Sequence, residues 1–142
     1  MNRILVYKNK ISKTYYDPDK GILFYEYAGI MDRKATELQI KSVLEFVKDK
    51  EVHGILLDIR KLMGSFLKFI PYLREIYYPT LIARRLYCKT IVVSKDIITS
   101  RLSEKLYDLL IELGVKASIF NNLSEAEEWL DKMLTERINA HK

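Results

Sequence analysis

The sequence predicts an α/β fold: a single domain on a mixed, mostly parallel β-sheet, with an N-terminal antiparallel hairpin and about four helices. Three observations carry that prediction. A turn marked by Pro and Gly, "DPDKG" (17–21), separates two segments of strand character near the N-terminus. Beyond residue 30, short continuous apolar runs alternate with longer segments whose apolar residues recur at helical spacing. The 142 residues hold no internal repeat, low-complexity tract or Gly/Ser linker, so residues 1–142 are read as one domain.

In chain order, "RILVYKN" (3–9) and "TYYD" (14–17) read as short strands, and "GILFYEYAG" (21–29) as a third. Pro18 presets φ for the intervening turn and Gly21 closes it, so the sheet begins antiparallel. Asp32 is placed to cap a helix on which Ile40, Val43, Leu44 and Val47 share one face. "VHGILLDI" (52–59) is unbroken and apolar, as suits a strand covered on both faces, with Asp58 near its end. Residues 66–86 follow a helical pattern, with Phe66, Phe69, Ile70, Leu73, Ile76 and Tyr77 on one side. Pro79 must end or kink that helix, because it lacks an N–H and clashes with the preceding turn. "CKTIVVS" (88–94) is a second buried strand. Leu102, Leu106, Leu109 and Leu113 form a helical stripe stopped at Gly114, and "VKASIF" (115–120) is the last strand. Ser124 with Glu127 three residues on reads as a capping box opening the final helix. This alternation implies right-handed crossovers between parallel strands.

Composition narrows the function classes. The net charge of +5, from 24 basic and 19 acidic side chains, is spread along the chain and falls short of a nucleic-acid-binding footprint. The one cysteine, Cys88, cannot form an internal disulfide and begins an apolar strand; it reads as a buried, inert thiol in a reducing compartment. The N-terminus lacks the long apolar core of a signal peptide, and no window approaches the roughly 18 apolar residues of a membrane span. A soluble, cytoplasmic protein without a transmembrane segment is expected. The two histidines, His53 and His141, have no ligand partners at metal-binding spacing, so no metal site is expected. None of the five glycines builds a phosphate-cradling loop, and no cofactor is implied.

What remains is geometric. In open α/β sheets, ligands sit beyond the carboxyl ends of the parallel strands, where several crossovers converge. The first such end offers Asp58, Arg60 and Ser65, the second Ser94, Lys95 and Asp96, the third Asn121 and Asn122. These form the expected ligand or partner rim. Asp58 has no second group in view to complete an acid–base pair, so no catalytic residue is assigned and the protein is read as a non-enzyme. A second candidate is the aromatic segment 66–87, where Tyr72, Tyr77 and Tyr78 interleave with Arg84 and Arg85. Its aromatic surplus is read as a patch for a protein partner, a homodimer contact or lipid headgroups.

Taken together, "YYDPDKGILFYEYAGIM", "GILLDIRKL", "KTIVVSKD" and "FNNLSEAEEWL" resemble the STAS-like family, related to bacterial anti-sigma-factor antagonists, and within it the STAS/CRAL–TRIO-like branch of unknown function. The resemblance covers roughly residues 12–134. It implies a mixed sheet of four to six strands with helices mainly on one side, no enzyme activity, and regulation through protein contact. Signalling members carry a phosphorylated serine in an Asp-Ser-Ser-Gly-like motif after the central strand. Here "MGSFLKF" follows "LLDIRKL", and Ser65 falls two positions early against Asp58, so that switch is not carried over. The CRAL–TRIO relatives enclose a lipid cavity.

Two functions follow. The first is a non-catalytic regulatory or interaction module acting through the rim and the aromatic helix. The alternative is a carrier of a small apolar or lipid-like ligand held between the 66–86 helix and the sheet. A carrier requires an apolar cavity beneath residues 66–86. An interaction module requires a solid core and an exposed patch around Tyr72, Tyr77 and Arg84.

Overall fold

A computed structural model of the chain describes residues 2–95 and 97–140. Six strands, β1 (Ile4–Lys8), β2 (Ser12–Asp17), β3 (Ile22–Ile30), β4 (Gly54–Met63), β5 (Cys88–Val92) and β6 (Lys116–Phe120), lie side by side in that order. β1, β2 and β3 pair antiparallel, and β3 through β6 pair parallel. The predicted hairpin closes as its residues dictate. Asp17 Oδ1 accepts the Asp19 N–H at 2.9 Å, the Gly21 N–H reaches the Asp17 carbonyl at 2.8 Å, and Gly21 takes φ +66°.

Each parallel step moves one place in the same direction, so right-handed crossovers put the three connecting helices on one face. These are α1 (Arg33–Phe46), a composite helix α2 (67–83) and α3 (Ile97–Glu112). The last helix, α4 (Leu123–Ala140), covers the other face. Alternation along each strand then divides the core in two. Leu23, Tyr25, Ile55, Leu57 and Ile91 face the three helices, while Ile22, Phe24, Leu56, Cys88 and Val92 face Ala126 and Leu130 of α4.

Helix ends follow local chemistry. Asp32 caps α1 by accepting the Ala35 N–H. After α3, the Gly114 N–H reaches the Ile111 carbonyl and the Val115 N–H the Leu110 carbonyl, a Schellman closure with Gly114 at φ +83°. The start of α4 corrects the sequence expectation. Asn122, not Ser124, is the cap, because its Oδ1 accepts the Glu125 N–H at 3.1 Å and Ser124 already lies in the first turn. Glu127 pairs instead with Arg3 at 3.4 Å.

Two further differences bear on function. β4 does not stop at residue 59. It runs to Met63, because β3 is long enough to pair with it up to the Ile30–Met63 pair, past the last β5 residue opposite Asp58. α2 is not a regular helix. A 3₁₀ turn (Leu67–Phe69) leads through an α turn containing Pro71 into a π turn (Leu73–Tyr77), and an α segment (Tyr78–Ala83) with Pro79 at its start completes it. Each proline lacks the N–H that a continuous helix would need, and the wide turn between them absorbs the misfit. Thr80 Oγ1 donates to the Ile76 carbonyl at 2.6 Å. The extra residue in the π turn rotates the helix, so Tyr77, Tyr78 and Leu81 point inward while Ile76, expected on the buried face, is exposed.

Among the described residues α4 is the single helix on its face, and Leu130 is its fully buried anchor, seated above Gly54, where a Cβ would come within 3.1 Å of Leu130 Cδ1. Leu130→Ala is expected to lower unfolding free energy by about 2–5 kcal/mol, read as a shifted urea midpoint. A change below about 0.5 kcal/mol, the range of neutral surface substitutions, would contradict the packing described.

Candidate functional site

Among the described residues, groups expected at the rim are engaged one by one in local bonds. Asp58 is held by its neighbour Arg60 through two side-chain bonds, Nε to Oδ1 at 3.0 Å and Nη2 to Oδ2 at 2.8 Å, and also accepts the Arg60 N–H at 3.1 Å. Such a clamp leaves the carboxylate as a fixed ion pair in mid-strand. Ser65 Oγ accepts the Leu67 N–H at 3.1 Å and shapes the turn into α2. Asn122 is used as a cap. Ser94, which has a polar partner, Lys95 and Asn121 stand at the ends of β5 and β6, the last two exposed. Asp96 and His141 lie outside the described residues. His53 sits at the opposite end of the sheet, its Nε2 2.9 Å from Glu51. Among the described residues no group of three or more His, Cys, Asp or Glu is arranged to hold a metal.

The aromatic patch is also corrected. Tyr77 and Tyr78 are buried beneath α2, Tyr72 and Arg84 are half-buried, and Arg85 is exposed. Tyr77 and Tyr78 are inward because the π turn brings two consecutive residues to the same side. Tyr77 lines an internal site, and Tyr78 bonds another of its wall residues, Lys89.

That site is a cavity of about 50 Å³ between α1, α2, α3 and the sheet. One water takes roughly 10–15 Å³ by this measure, so a few heavy atoms fit. Its walls are mostly apolar, including Ile40, Leu57, Phe66, Phe69, Leu73 and Leu106. The polar groups among its wall residues are the Tyr25, Tyr27 and Tyr77 hydroxyls, Thr36 and the Lys89 ammonium group. A surface cleft of about 330 Å³ shares Ile40 and Phe69 with it and carries Arg33, Lys41 and Lys68.

Lys89 is the residue that sequence reasoning missed. It is the second residue of β5 and only 4% exposed. Its Nζ donates to Tyr78 Oη at 2.6 Å and lies 4.8 Å from the Tyr78 ring centre. Among the described residues no carboxylate lies within ion-pair distance of it. The Tyr77 hydroxyl donates to Tyr25 at 2.5 Å, and the Tyr77 and Tyr78 rings meet edge-on at 5.0 Å. Tyr27 bonds Gln39, which donates on to Thr14 at 2.9 Å. Burial pushes the Tyr25, Tyr27, Tyr77 and Tyr78 hydroxyls above the usual phenol range, so all four are neutral at pH 7 and none offers Lys89 a countercharge. Burial also lowers Lys89 from 10.5 to about 7. Cys88, one residue earlier and on the opposite face, is buried and pushed up to about 12, which leaves an unreactive thiol.

Comparison with protein-family models, with curated proteins and with solved structures gives no match for this chain.

The Lys89 environment makes stability depend on pH. Between about pH 7 and 10.5 the unfolded chain holds a proton on Lys89 that the folded chain does not, so the residue's contribution improves as pH rises through that window. Below pH 7 the burial penalty is fully present. Relative to Lys89→Met, wild-type stability should rise by up to about 1.4 kcal/mol per pH unit from pH 7 upward. Lys89→Met should be the more stable protein at pH 6.5. Urea melts of the pair at several pH values check this; parallel curves would contradict it.

Proposed function

We propose that this protein is a non-catalytic carrier, or binding module, for a small and mainly apolar ligand with one hydrogen-bond acceptor. The ligand sits between α2 and the sheet, its acceptor directed at Lys89. The observation that carries this is the cavity itself, apolar over most of its wall, with an amine and tyrosine hydroxyls converging on it. That is the usual make-up of a small-molecule site. The irregular α2 supports it too, since a helix broken by two prolines and a π turn cannot close down on the sheet as a regular helix would. The cleft lined by Arg33, Lys41 and Lys68 adjoins the cavity at Phe69 and Ile40, and those two side chains are the natural gate. The STAS-like resemblance of the sequence agrees with a non-catalytic role. Among the described residues no helix is long and apolar enough to cross a membrane.

The test is titration with butan-1-ol, followed by the NMR signals of Tyr25, Tyr27 and Tyr77. Saturable shifts confined to the cavity are expected. Phe66→Trp, which adds volume to the wall, should stay folded and lose them. Shifts absent in wild type, or unchanged in Phe66→Trp, would remove the carrier.

A second reading, an interaction module that contacts a protein partner or a second copy of the chain, has one observation in its favour. The paired tip of β3 and β4 extends past β5 and exposes Ile30 (69%) and Met63 (56%). Exposed apolar groups at a projecting tip favour protein contact. Sedimentation equilibrium should then show a dimer that Ile30→Lys with Met63→Lys converts to monomer; a wild-type monomer at high concentration would rule out the homodimer.

A further inference from the structure

We propose that Lys89 takes its ligand covalently, forming an imine with a small aldehyde or ketone that enters the cavity. This rests on the carrier reading and names the ligand's chemical class: a carbonyl compound with a short apolar remainder.

Three features of the site support it. The first is position. Lys89 is one of the wall residues of a cavity with room for a few heavy atoms, and among the described lysines it is the buried one. The second is charge. The groups facing Lys89 from β3 and α2 are the neutral tyrosines 25, 27, 77 and 78. With no carboxylate among the described residues to hold the ammonium form, much of the amine is unprotonated near neutrality, and that form is the nucleophile. The third is the Tyr78 hydroxyl. It lies 2.6 Å from Nζ, and once the nitrogen lone pair engages the carbonyl carbon this neutral phenol can donate to the carbonyl oxygen.

The step balances without an oxidant or reductant. The Nζ lone pair attacks the carbonyl carbon as the C=O π bond opens, a C–N bond forms, and one of the two nitrogen protons passes in net to the carbonyl oxygen to give a carbinolamine. The carbinolamine then loses its hydroxyl group and the remaining N–H proton as one water, leaving C=N. Hydrolysis reverses the step and releases the ligand unchanged, as a carrier requires. The apolar walls and small volume limit the water able to return to the imine, which favours the bound form.

The experiment uses the full chain with butanal and cyanoborohydride, a hydride donor that reduces imines to stable amines, at pH 7.5. Intact mass and peptide mapping locate the butyl group, and butan-1-ol titration runs in parallel as the carbonyl-free control. One butyl group on Lys89, placed at least about tenfold faster than on any other lysine, is expected from its larger unprotonated fraction. Lys89→Met should lose the fast addition while keeping its far-UV circular dichroism. Labelling of Lys89 should also fall about tenfold between pH 8 and pH 6, following the unprotonated fraction of an amine titrating near 7. If butan-1-ol binds while the butyl groups are scattered over exposed lysines, the imine is overturned and the carrier stands. If neither reagent reaches the cavity, both fall. Mapping on the wild-type chain decides the matter even if the variant does not fold.

Discussion

A strand covered on both faces leaves none of its side chains in water, and β5 is such a strand: all five of its residues are buried. Four of them can meet that constraint as apolar or small hydroxyl groups. Lys89 cannot, and the interior around it is organised accordingly. Its amine has a hydroxyl to donate to, but among the described residues it has no anion. Desolvation without a countercharge disfavours the ammonium form, and the protein retains a depressed titration point where a paired lysine would be held near its usual value. The tyrosines around it serve the same constraint. Their hydroxyls satisfy one another and the amine, and burial keeps them neutral.

The composite helix makes the site hollow. Pro71 and Pro79 remove two backbone donors within nine residues, and the π turn between them delivers Tyr77 and Tyr78 to the interior together. Two adjacent aromatic side chains on one side cannot interdigitate with the sheet as an i, i+4 ridge does. The space left over is lined by Tyr77, by residues of α1 and α3, and by residues from β3, β4 and β5. The same turn displaces Ile76 to the surface. The cavity and the exposed isoleucine have one physical cause.

Much of the architecture was legible because local chemistry and tertiary structure agree. Asp32, Gly21 and Gly114 act as a cap, a turn and a helix stop, and the continuous apolar runs are the parallel strands. Reading failed where a long-range partner decides. The length of β4 is set by β3 pairing with it through Met63, so Asp58 is a mid-strand residue clamped by Arg60, although the polar residues after it looked like a loop. Asn122 displaced Ser124 as a cap because both are good caps and strand β6 fixes where the helix begins. The Tyr77–Tyr78 pair looked like a surface patch because helical spacing cannot anticipate a π turn. Lys89 was hidden by its place near the start of a strand, where a lysine usually reaches solvent. A signal was present: Lys89, Ile91 and Val93 share one face at period two, and the other two are core residues.

The central claim is a physical state of a single group: a buried amine with no anion beside it among the described residues. The most direct measurement is an NMR titration of the Lys89 side chain, with the lysine Cε and Nζ labelled and the signal assigned by its loss in Lys89→Met. The account predicts a midpoint near 7, far below the other lysines. A midpoint close to 10.5 would mean that water or a countercharge reaches the amine, and the site described here would not exist.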